Sequence, residues 1–194
     1  MINQELKELF NNVSGLIDNA LKMAGLDEGQ GKLARVDLAE FLMYLSASDG
    51  KIEWSEASNI SEYLGMDLPP EGINQFIREN NIYSTEFEQK VPLSFQILVD
   101  ADNMLWDNGK RNTCAADILL KIYKMTGEEL IKADDDIDDN EMQDYQIYID
   151  MLTNYIMQND KFKQQGGVYT GLQKNTGNSV DAPIKSGVAA PRKR

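Results

Sequence analysis

Apolar residues return along this chain at steps of three and four. Leu6, Leu9, Phe10, Val13, Leu16, Ile17, Ala20 and Leu21 form one stripe, which predicts an amphipathic first helix ending near Gly25. A glycine-bearing loop, LDEGQGK, follows. Residues 33–46 are apolar on nearly every side, as expected of a helix buried centrally rather than lying on a surface. A third helix is predicted over 54–65. Pro69-Pro70 then marks a loop and the first turn of a short helix, EGINQFIREN. A longer pattern from Ser84 to Trp106 carries Phe87, Val91, Phe95, Leu98, Val99, Asp102 and Leu105, and it admits Pro92 if the helix starts near Lys90. Helices over 112–125 and 139–158 complete the series. No segment alternates with a period of two. The fold class is therefore all-α, a helical bundle of about six to eight helices joined by short turns.

Charge divides the chain. The 194 residues carry a net charge of -13, but Lys161 to Arg194 holds seven basic residues and one acidic, leaving 12 basic and 31 acidic in 1–160. A body of -19 thus precedes a tail of +6. The tail is rich in Gly, Asn, Gln and Ser and has no sustained apolar period, so it reads as a disordered extension. Its closing PRKR offers weak attraction to the acidic body, an anionic membrane or nucleic acid. Three regions result: an N-terminal amphipathic helix and loop (1–30), a helical domain (31–160) and a basic flexible tail (161–194).

Within the domain a short motif occurs twice. Ser48-Asp49-Gly50-Lys51-Ile52-Glu53-Trp54-Ser55-Glu56 aligns without a gap to Ala133-Asp134-Asp135-Asp136-Ile137-Asp138-Asp139-Asn140-Glu141, at an offset of 85. Each copy follows an apolar helix and precedes an amphipathic one. Ala57, Ile60, Tyr63 and Leu64 continue the first copy; Met142, Tyr145, Ile149, Leu152 and Ile156 continue the second. The repeat predicts two pseudo-symmetric halves, each a helical hairpin with an acidic turn.

The spacing has two physical interpretations. In the first, Glu53 and Asp138 are N-caps, Glu56 and Glu141 occupy N3 as the second half of a capping box, and Ile52/Ala57 and Ile137/Met142 form hydrophobic staples. In the second, the carboxylates gather around one hard cation. A calcium-binding EF-hand loop does not fit, because its first and third positions fall on Leu45 and Ala47 in copy one and on Leu130 and Lys132 in copy two. A looser site, made by Asp49, Glu53 and Glu56 with Asp134, Asp135, Asp136, Asp138 and Glu141, would take Mg2+, Ca2+ or Mn2+, since every donor is oxygen.

The order of buried helix, A/S-D-G-x-I-x-x-x-E turn and amphipathic helix resembles the tellurite-resistance TerB-like fold, which is related to the N-terminal domain of some DnaJ-type co-chaperones. The resemblance spans Leu33 to Ile156. It implies an all-α bundle of two pseudo-symmetric halves in stress-response or envelope-associated complexes, with divalent metal at the acidic turns. Its motif falls on Asp49, Glu53 and Glu56, and on Asp134, Asp138 and Glu141. Asp135 stands where the family has Gly, and the first helix and basic tail lie outside its pattern.

Composition narrows the chemistry. No histidine is present, which removes Ser-His-Asp and Cys-His nucleophile systems and His-ligated metals. The single cysteine, Cys114, excludes an intramolecular disulfide and a multi-cysteine cluster. Trp106-Asp107-Asn108-Gly109 reads as a helix C-cap. The opening residues lack a signal-peptide pattern and no stretch is long and apolar enough to span a bilayer, so a cytoplasmic protein is expected, free or peripheral to a membrane. The expectation is a non-enzymatic acidic interaction module with protein partners and no direct nucleic-acid binding. The alternative is an immunity-type or DNA-mimic protein that neutralises a basic partner.

Overall fold

The computed structural model describes residues 4–23, 30–48, 52–64, 67–109, 115–132 and 139–168. Every regular element among them is helical: α1 (Gln4–Met23), a 3-10 turn (Gln30–Lys32), α2 (Leu33–Ser46), α3 (Trp54–Leu64), α4 (Pro70–Glu79), α5 (Thr85–Glu88), α6 (Leu93–Asp107), α7 (Ala115–Ile131), α8 (Asp139–Asn159) and α9 (Lys161–Gln164). None of these helices is long and apolar enough to cross a membrane.

The all-apolar helix takes the centre. α2 packs against α1, α3, α4, α6, α7 and α8, and its residues 41–46 are all buried. Aromatic rings fill the space it shares with its neighbours. Phe41 lies 4.9 Å from Tyr148 and 5.0 Å from Tyr123, Tyr44 lies 5.3 Å from Phe87, and Phe95 meets Tyr123 edge-on at 5.2 Å. Rings at these separations add directional contact to area burial. The hairpins containing the two acidic turns, α2–α3 and α7–α8, are each packed pairs.

Three departures from the expected boundaries have local causes. Pro92 does not sit inside a helix begun near Lys90; it is the N-cap of α6, and the pattern from Ser84 to Trp106 breaks into α5 and α6. Ser84 caps α5 through a 3.2 Å bond from Phe87 N–H, and Pro92, which has no N–H, begins the next helix. α7 continues past residue 125 to Ile131 because Leu130 and Ile131, 3% and 2% exposed, extend its apolar stripe through Thr126-Gly127. Residues 161–163, read from composition as the start of the tail, pack on the body, while Val168 is exposed. Asp160 caps α9, Phe162 meets Trp106 at 6.1 Å, and Lys163 pairs with Asp117 at 2.7 Å. Residues 169–194 lie outside the described set. The C-cap read at Gly109 is present, with φ +80 and its N–H donating to Trp106 C=O at 3.0 Å.

Carboxylates from one helix hold the starts of others. Neither Lys32 before α2 nor Pro92 before α6 supplies a side-chain cap. Asp18 of α1 accepts from Gly31 N–H at 2.8 Å, and Asp37 of α2 accepts from Ser94 N–H at 2.9 Å. Asp102 of α6 accepts from Ala115 and Ala116 N–H at 3.1 and 3.0 Å, one with each oxygen. Burial raises the Asp37 carboxyl above its usual range, against the lowering effect of Ser94 and Lys90. Burial likewise pushes Asp102 up to about 6, opposed by its two N–H donors and reinforced by Asp160 and Asp117.

Gly127 marks the closest approach of α7 to α8. A Cβ there would lie 2.8 Å from the Tyr145 ring and 3.1 Å from Phe41. Gly127→Ala is expected to lower unfolding free energy by about 1–3 kcal/mol through overpacking, despite the better helix propensity of Ala. Urea denaturation checks this, and an unchanged or raised midpoint contradicts the close approach. Asp102 gives a pH signature of its own. Its raised folded value makes the native state bind more protons between about pH 4 and pH 6, so its contribution to stability is complete at the acid end and falls as pH rises, by on the order of 3 kcal/mol. Relative to Asp102→Asn, the wild-type chain should therefore lose stability across that interval; parallel pH profiles for the two chains would exclude the buried charge.

Candidate functional site

Both acidic turns lead into helix starts, and that position decides what their carboxylates meet. α3 begins at Trp54, which makes Glu53 its N-cap and Glu56 its N3 residue. Glu53 C=O accepts from Ala57 N–H at 3.0 Å, and Glu53 N–H donates to Glu56 Oε2 at 2.7 Å. An N3 carboxylate reaching back to the N-cap N–H is the acidic half of a capping box. Glu56 is buried, as are Ile52 at N′ and Ala57 at N4, the two staple positions. In the second copy α8 begins at Asp139 and Glu141, in its first turn, is buried, while Asp138, read as the N-cap, lies outside the described residues. Met142, the N4 residue there, is 45% exposed, so copy two lacks the buried N4 side chain of copy one.

Asp49, Asp134, Asp135, Asp136 and Asp138 lie outside the described residues. Of the expected ligand set the structure places Glu53, Glu56 and Glu141. Among the described residues no three carboxylates converge as cation ligands would. Glu56 holds a backbone N–H with one of its oxygens, so any cation would compete with the cap for that atom.

One hydrogen bond ties the first turn to the helix that follows the second. Ser48, whose N–H closes α2 on Leu45 C=O at 3.0 Å, donates its hydroxyl to Asp144 Oδ2 at 2.6 Å. Asp144 lies in the second turn of α8, so the first acidic turn leaves α2 beside the start of α8. The rings of Tyr44 and Tyr83 meet in the same corner, tilted by 33° at 5.6 Å. Burial raises both phenols, and the carboxylates of Asp144 and Glu88 raise them further. Both phenols therefore stay protonated, and the buried Tyr44 hydroxyl has no hydrogen-bond partner among the described residues.

Beside the first turn lies a cleft of about 510 Å³ lined by Ile52, Glu53, Trp54, Ser55, Pro70 and Glu71. Its floor is apolar, from buried Ile52 and Pro70, and Trp54 stands on its wall 72% exposed. The α3–α4 connection that brings Pro70 here is pinned by Ser61, whose hydroxyl accepts from Leu68 N–H at 2.9 Å and donates to Leu68 C=O at 3.1 Å. Reading the repeat as a turn treated Trp54 only as part of the motif. The available signal was an aromatic residue at N1 between Glu53 and Ser55, with polar Ser58 four residues on.

Glu56→Ala is expected to cost about 0.5–2 kcal/mol through loss of the cap. Measured by urea unfolding, the loss should be equal in EDTA and in excess Mg2+, Ca2+ or Mn2+. A loss that grows when a divalent ion is added would make Glu56 a cation ligand instead.

Comparison with protein-family models, with curated proteins and with solved structures finds no match to this chain.

Proposed function

We propose that this chain is a non-enzymatic acidic interaction module that binds a basic protein partner. The observation that carries this reading is the makeup of the described surface, where 13 exposed residues are acidic and six are basic. Such a surface attracts cationic partners over roughly a Debye length and raises their encounter rate. The interior carboxylates support the same reading. Asp18, Asp37, Asp102 and Asp160 each accept from a backbone N–H at a helix start, as Glu56 does, which is a structural task.

A second reading keeps the TerB-like resemblance and adds a divalent cation between the two acidic turns. The Ser48–Asp144 bond favours it, because that bond draws the first turn toward the start of α8. The two readings separate in one titration. With a Lys/Arg-rich peptide as probe, calorimetry should detect binding that weakens steeply with added salt and is indifferent to EDTA. Binding abolished by the chelator would support the cation reading, and no binding even at low salt would remove the basic-partner reading.

A further inference from the structure

We infer that the cleft between the starts of α3 and α4 receives an arginine or lysine side chain from an extended segment of the partner, seated against the Trp54 indole. The inference rests on the basic-partner reading and assigns that reading a location.

The fold builds this cleft rather than leaving it to a loop. Trp54 is the first residue of α3 and Pro70 the first of α4, and the Ser61–Leu68 hydrogen bonds fix the connection between the two helices. Pro70 has its φ set by its ring, and Ile52 is in the core, so two buried apolar side chains line the cleft. Trp54, by contrast, leaves most of its surface to solvent, although Trp is among the side chains most often buried in binding hot spots. The volume lies within the usual range for clefts that hold small groups, about 300–1,000 Å³.

Charge selects the occupant. The indole face carries a negative quadrupole and attracts a guanidinium or ammonium placed over it. Glu53 and Glu71 line the same cleft and are exposed. Two helix starts converge here, which by themselves would favour an anion, but each is already complemented by acid: Glu56 on the Glu53 N–H, and Glu71 in the first turn of α4. The helical body of a second copy is a poor occupant, because residues 1–160 bring a further -19 of like charge. An arginine is planar and stacks on an aromatic face while its N–H groups reach flanking carboxylates, so it satisfies both features of the cleft at once.

The test uses a capped peptide, Gly-Arg-Gly-Ser-Arg-Gly, and its citrulline counterpart, which keeps the shape and loses the charge. Affinity is measured by calorimetry on the full chain and its variants, and the site is located by the indole N–H resonances, with Trp54→Phe assigning the Trp54 signal apart from that of Trp106. The arginine peptide should shift the Trp54 signal saturably and bind at least about five-fold more tightly than the citrulline peptide. Trp54→Ala and Glu71→Gln should each weaken it by about three-fold or more, and Trp54→Phe by less than Trp54→Ala. Trp54 is largely exposed, so Trp54→Ala should leave thermal unfolding nearly unchanged and its binding loss interpretable. Equal binding of the citrulline peptide overturns the inference. So does a full-strength arginine complex with Trp54→Ala, although that result leaves the acidic module intact with its site elsewhere. No arginine-peptide binding at low salt defeats both.

Discussion

The arrangement of these helices depends on carboxylates that cap helix starts other than their own. A helix begins with four N–H groups that have no partner within it, and burial without acceptors is expensive. Lys32 and Pro92, the residues preceding α2 and α6, give no side-chain acceptor. Asp37 of α2 supplies an oxygen to Ser94 N–H at the start of α6, Asp102 of α6 supplies two to the start of α7, and Asp18 of α1 accepts from Gly31 N–H in the 3-10 turn that leads into α2. Each of these bonds specifies where a later helix begins relative to an earlier one, which apolar packing alone does loosely. The aliphatic core with the aromatic layer around Phe41, Tyr123 and Tyr148 provides the buried surface, while the caps give it direction. Desolvation is the cost of that specificity, visible in the raised carboxyls of Asp37 and Asp102.

Much of the architecture was legible from periodicity, for reasons that differ between elements. α2 needed no partner to be recognised, because apolar residues on every face have only one place to go. α4 was announced by Pro70, and the end of α6 by Gly109. The split at Pro92 and the length of α7 were less visible. In the first case a continuous apolar rhythm masked a break in the backbone; in the second the predicted helix stopped at residue 125, yet the helix runs on through Gly127, where the Tyr145 ring lies close. The cross-helix caps have no local signature, since partners such as Asp37 and Ser94 are 57 residues apart. Asp102 did leave a trace, an acid in register with Phe95, Leu98 and Val99 on an apolar stripe.

The candidate site shows the same division. The capping box at Glu53 and Glu56 followed from spacing, because N-cap to N3 is a fixed distance along the chain. The cleft at Trp54 depends on where α4 returns, and hence on a loop anchored by one serine. The chain's abundant acid consequently falls into two populations with opposite tasks. Buried Asp37, Glu56, Asp102 and Asp160 accept from backbone N–H groups and shape the body; exposed carboxylates outnumber exposed bases and give it a field. A count of Asp and Glu in the sequence merges the two.

Sequence distance also ranks the three cross-helix caps by the loops they must close. Asp18 to Gly31 spans 13 residues and Asp102 to Ala115 another 13, whereas Asp37 to Ser94 encloses α3, α4 and α5 within its 57. In a flexible chain the longer loop carries about 1.3 kcal/mol of additional closure entropy. The two short caps each join neighbouring segments into a helical corner at a small closure cost. The Asp37 bond spans from one of those corners to the other, so it carries the largest closure cost of the three and ties distant parts of the chain together.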